Sequence, residues 1–194
     1  MSNLKEILFA QLASDGLTNL VEELQNKYKP KKGRRFHHNN ITYEISRPGI
    51  KENFIEFEIS SKIPEDELDS SKDMKSYFQE IKKIVSKGKE KPVSIEMENI
   101  VWDSKKDTEK EREYVKLLYQ YPLDDLYDNK EGISRFKKIK GTNDLSSLPD
   151  IPGAYTLQGK LVLAMVKEKI MGLARDNVTN LVNANKEVKA AIGS

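Results

Sequence analysis

Residues 41–59, ITYEISRPGIKENFIEFEI, decide the fold. Ile41, Tyr43 and Ile45 alternate with Thr42, Glu44 and Ser46, and Ile55, Phe57 and Ile59 then alternate with Glu56 and Glu58. A period of two is the pattern of a strand with one buried face. Arg47-Pro48-Gly49 lies between the two runs and reads as the turn, because Pro fixes φ and Gly accepts a positive φ. The stretch therefore predicts an antiparallel hairpin. Pro92–Trp102 (PVSIEMENIVW) predicts a third strand, with Val93, Ile95 and Met97 on one face and Trp102 closing the core.

Outward from the sheet the period changes to that of helices. Asn3–Tyr28 places Leu4, Leu8, Leu12, Leu17, Leu20, Val21, Leu24 and Tyr28 on one stripe. Ser14-Asp15-Gly16 interrupts that stripe and could divide it into two helices. Met74–Ser86 buries Tyr77, Phe78, Ile81, Ile84 and Val85, and Gly88 stops it. Asp103–Gln120 is rich in helix formers and reads as a charged helix, apolar only in its second half at Tyr114, Val115, Leu118 and Tyr119.

Leu161 to Ala191 is the longest helical pattern. Leu163, Val166, Ile170, Leu173, Asn177, Leu181, Ala184 and Val188 recur at three or four residues, and a strict heptad phase would put Asn177 and Asn180 on the seam. Residues 121–151, with several Pro and Gly, fit no regular element. The expected architecture is α+β: a small antiparallel sheet, a hairpin plus a third strand, flanked by helices and followed by a long C-terminal helix. Residues 1–158 would form the α+β domain and residues 159–194 a helix packing on it or on a partner subunit.

The totals exclude several classes. The 194 residues suffice for a core without staples, and no cysteine is present, which removes disulfides, thiolate metal sites and cysteine nucleophiles. Charged residues make up 33% and apolar ones 37%, with a mean hydropathy of −0.67, as in solvated helices or a subunit of an assembly. The N-terminal residues MSNLKEILFAQLASDG carry acids and no long apolar run, unlike a secretory signal. No stretch of about 18 apolar residues occurs, so no membrane span is expected. The expected location is cytoplasmic or otherwise intracellular, with association with a virion compatible.

The chemistry is sparse. His37 and His38 are adjacent and would point to opposite faces of a strand, so they do not suggest a metal site or a triad. Phosphate-binding glycine loops are missing. Asp150 followed by Gln158-Gly159-Lys160 has an order similar to the acid and lysine of restriction-type nucleases. The spacing is short, however, and Gln stands where an acid is usual. Glu96 and Glu98, and the group Asp124, Asp125 and Asp128, are coincidences easily made by a chain with 31 acids. The reading assigns no catalytic residue, no cofactor and no metal.

The positive signal is Lys27–His38, KYKPKKGRRFHH, six cations in twelve residues with no acid. Lys27, Lys29, Lys31, Lys32, Arg34 and Arg35 suit a phosphate backbone, and Tyr28 and Phe36 could stack on bases. Lys87 and Lys89, within Lys82–Lys91, and Arg135, Lys137 and Lys138 could extend the same face. A solvated loop would account for the same charges, since the net charge is only +2. The stretch is expected to be a flexible connector of a non-enzymatic nucleic-acid-binding protein that contacts phosphates without much sequence preference. The alternative is a structural or adaptor subunit of a virion or secretion machine. That subunit would oligomerise or bind a protein through the C-terminal helix and residues 121–151.

Overall fold

The structure, a computed structural model, describes residues 4–68, 71–104, 107–122, 126 and 157–192. The fold is α+β. The elements are α1 (Leu4–Lys27), β1 (Lys29–Pro30), β2 (Arg35–His38), β3 (Ile41–Ile45), β4 (Gly49–Lys51) and β5 (Phe54–Lys62). A 3₁₀ turn at Glu65–Glu67, α2 (Ser71–Ser86), β6 (Ser94–Ser104), β7 (Asp107–Pro122) and α3 (Leu157–Ile192) complete them. Seven strands form one sheet in the order β1-β2-β3-β5-β7-β6, with β4 paired to β5 off that path.

The chain divides into two compact units: residues 1–20, 48–56 and 121–174, and residues 21–47, 57–120 and 175–194. In the first, α1 and α3 approach closely. A Cβ on Gly16 would lie 2.7 Å from Ile170 Cγ2 and 2.8 Å from the Lys167 carbonyl oxygen. Gly16 therefore does not break the helix, as its sequence context suggests; α1 is continuous, and the missing side chain admits the backbone of α3. Gly16→Ala should cost about 1–3 kcal/mol by overpacking, read as a lower urea midpoint with an unchanged slope. A helix-propensity role alone would give the opposite sign.

The second unit has a buried core of its own. On β2, β3 and β5, Phe36 pairs with Tyr43, Tyr43 with Ser61 and Ile45 with Ile59, so these residues share one face of the sheet. The ends of α1 and α3 cover that face. Tyr28 stacks on Phe36 at 5.6 Å, and Asn185 of α3 donates from Nδ2 to Ser61 Oγ at 3.1 Å and to the Leu181 carbonyl at 3.1 Å. The buried Tyr77 hydroxyl of α2 donates to Asn185 Oδ1, and Asn185 also hydrogen-bonds the Tyr43 hydroxyl. Burial pushes the pKa of both phenols upward. One asparagine thus gathers polar groups from α2, α3, β3 and β5 that would otherwise be left unmatched in the core.

The opposite face of the sheet is polar. Arg35 Nε meets Glu44 Oε2 at 2.8 Å, His37 Nδ1 lies 3.3 Å from Thr42 Oγ1, and Lys116 Nζ reaches Glu58 at 3.0 Å and Glu98 at 2.5 Å.

Three further readings of the sequence are corrected. Residues 107–122 are a strand, not the helix read over Asp103–Gln120: Val115, Leu117, Tyr119 and Tyr121 are all buried and alternate with half-buried residues. Their period of two, rich in aromatic residues, outweighs the helix-forming charges of the first half. Gly49 lies in β4 without a positive φ; the tight turn comes later, between the paired Lys51 and Phe54, where Glu52 has φ 56°. Ser46 explains part of this, because its N–H donates to the Glu58 carbonyl while its Oγ accepts from Glu58 N at 2.8 Å.

The third correction concerns the basic stretch, which is a hairpin. Pro30 pairs with Phe36, and β2 then turns into β3 through Asn39 and Asn40 at φ 50° and 63°. Two consecutive positive φ values make the tight turn that matches strand twist, and Asn tolerates them. In α3, Asn177 and Asn185 are buried while Asn180 is exposed. The side chain of Trp102, residues 127–151 and Asp150 among them lie outside the described residues.

Candidate nucleic-acid interface

The loop between β1 and β2 is drawn inward by its carbonyls. Gln25 Nε2 on α1 lies 3.2 Å from the Lys31 oxygen, 3.0 Å from that of Gly33 and 2.8 Å from that of Arg35. Gly33, at φ 71°, supplies the left-handed step that turns the chain. With the backbone held against α1, Lys27, Lys29, Lys31 and Lys32 are all exposed. Lys27 Nζ sits 5.2 Å over the Tyr28 ring, a contact that leaves the ammonium charge in place.

The two arginines are committed within the fold. Arg34 is half-buried and donates from Nε to the Ile45 carbonyl at 2.8 Å and from a terminal nitrogen to that of Ser46 at 3.3 Å. Burial and then the nearby Arg47 hold its pKa below the ordinary guanidinium value, with Glu44 opposing them. Arg35 is neutralised by Glu44. Phe36 is 0% exposed and stacks on Tyr43 at 5.0 Å, so its ring belongs to the core and cannot stack on a base at the surface. Its apolar character outweighed the basic context in which it stands.

Two lysines missing from the sequence reading join the loop. His37 feels Lys31, Lys29 and Lys62, the last at the end of β5, and His38 feels Lys186 of α3 and Lys27. Burial first, and these cations next, hold both imidazoles below their ordinary pKa. Lys29, Lys31 and Lys62 therefore act on His37 at one face of β2, and Lys27 and Lys186 act on His38 at the other, with Lys32 nearby in the chain. Only the fold brings Lys62 and Lys186 to this edge; no spacing in the sequence connects them.

Lys87 and Lys89 are exposed just beyond α2, where a cation complements the negative helix end. The cations acting on His37 and His38 include neither of them. Arg135, Lys137 and Lys138 lie outside the described residues. Toward β6 the polar face of the sheet becomes acidic: Glu96 is exposed, and Glu58 and Glu98 share the single cation Lys116. Their hydrogen bonds, that of Glu98 foremost, raise the Lys116 pKa against its desolvation. On the described part of the sheet's polar face, positive charge thus lies at the β1–β2 end.

Among the described residues no group of His, Asp and Glu is arranged to hold a metal ion, and no helix is long and apolar enough to cross a membrane. No protein-family model, curated protein or solved structure matches the chain.

Proposed function

We propose that the protein binds nucleic acid, without catalysing a reaction on it, at the cationic edge formed by the β1–β2 hairpin. The supporting observation is that Lys29, Lys31 and Lys62 act on His37 and Lys27 and Lys186 on His38, on the two faces of β2, with Lys32 exposed alongside. Lysine ammonium groups are point charges suited to phosphates, and contacts to phosphates carry no direct sequence information. Burial of Phe36 and partial burial of Tyr28 remove surface stacking platforms. The reading is therefore contact with the phosphates of a duplex rather than base stacking on a single strand.

Six lysines that neutralise about six phosphates give log K a slope against log[salt] near −5 on duplex DNA. Fluorescence anisotropy with a labelled duplex of mixed sequence, from 50 to 200 mM salt, measures that slope. Absence of binding at 50 mM ends the proposal. Acidity adds a second signature. Phosphates beside His37 or His38 offset the lysines that help depress each pKa, so the complex takes up protons. Affinity should rise roughly several-fold as pH falls from 7.5 to 5.5. Stability of the free protein has the opposite sign: both histidines titrate lower when folded, so the unfolded chain binds protons first and stability falls below about pH 6.5.

A further inference from the structure

A second concavity lies away from the hairpin, between α2, the C-terminal turns of α3 and the 3₁₀ turn. Its volume is about 410 Å³, within the range of about 300–1,000 Å³ typical of small-ligand sites. Tyr77 and Val188 are buried in its walls, Leu68 and Ile84 are half-buried, and Ile192 is 46% exposed, an aliphatic side chain left in water at the cleft.

Around this apolar surface stand Glu67, Asp73, Glu80 and Glu187. Lys189 Nζ satisfies Glu67 at 3.1 Å while also donating to the Asn39 carbonyl at 2.8 Å, so its charge is held at that end. Glu80 on α2 and Glu187 on α3 are both exposed and make no ion pair among the described residues. An apolar slot bordered by carboxylates repels nucleic acid and anionic metabolites. It complements a ligand that carries methylenes between cationic groups.

We propose that this cleft binds an aliphatic polyamine. Its methylenes would lie on Ile84, Val188 and Ile192 and its ammonium groups would face Glu80 and Glu187. The site is independent of the cationic edge and uses none of its residues.

The test is calorimetric titration of the full chain, free of nucleic acid and at low salt, with spermidine, 1,8-diaminooctane and 1,3-diaminopropane. Saturable one-to-one binding of spermidine is expected. A buried methylene contributes about four-fold in affinity at most, so the octane diamine should bind at least about ten-fold tighter than the propane diamine. The E80Q/E187Q double variant, altered only at exposed positions, should weaken spermidine at least ten-fold with an unchanged melting curve. Ile192→Ser should erase most of the advantage of the longer diamine. Equal affinity for the two diamines, or wild-type affinity in E80Q/E187Q, would mean diffuse surface screening and overturn the proposal. It would equally be overturned if an acetylated Lys-Leu-Leu-Lys peptide displaced spermidine at concentrations below that of spermidine itself. In that case the cleft would belong to a protein partner.

Discussion

Phe36→Ala should lower the unfolding free energy by about 3–5 kcal/mol, the usual cost of truncating a buried aromatic. The ring has no exposed surface and lies between Tyr28 at 5.6 Å and Tyr43 at 5.0 Å. Its removal leaves a hole under the β2–β3 hairpin, bordered by two rings whose packing depends on it. Stacked pairs contribute about 0.5–1.5 kcal/mol each beyond the area they bury. Urea denaturation followed by circular dichroism measures the loss. The same variant, assayed well below its midpoint, should retain its affinity for duplex DNA, because the side chain does not reach the surface. Full stability combined with lost binding would reverse the assignment and restore Phe36 to the interface.

The combined substitution of Lys27, Lys29, Lys31 and Lys32 by glutamine should do the reverse. All four are exposed, so stability should change little. Affinity for duplex DNA should fall on the order of a thousand-fold at 0.1 M salt, and the salt slope should shrink from near −5 to about −2, as four of six phosphate contacts disappear. Arg34→Gln separates charge from architecture. It also removes one cation, but its guanidinium is spent on the Ile45 and Ser46 carbonyls. Its main effect should be on the fold and only secondarily on the slope. A quadruple lysine variant that bound like wild type would leave the cationic edge without the proposed role.

The sheet was legible where one alternating face meets the core. Ile41–Ile45 and Phe54–Lys62 pair as their alternation implies, and the C-terminal helix is present over Leu157–Ile192. Strand β7 was not legible because its first half, DTEKERE, favours a helix by propensity. The alternation from Val115 to Tyr121 and the place of the strand between β5 and β6 override that preference. The Asn39-Asn40 turn was available to inspection, since two adjacent asparagines just before an alternating strand can both adopt positive φ. At the candidate interface the exposed lysines were readable as a run of charge. The burial of Phe36, the engagement of Arg34 and Arg35 and the arrival of Lys62 and Lys186 were not. Each depends on which residues lie on the same face of a strand or the same side of a helix after folding.

Asn185 has a consequence for how the chain is made. It closes the polar junction with Ser61 and Tyr77, partners that precede it by 124 and 108 residues. At about 5–20 residues per second, the ribosome reaches Asn185 about 6 to 25 s after Ser61. Through that interval the phenols of Tyr43 and Tyr77 and the inner face of β3 and β5 await the helix that covers them. The native junction is therefore completed only as α3 emerges, the last part of the second unit to be made.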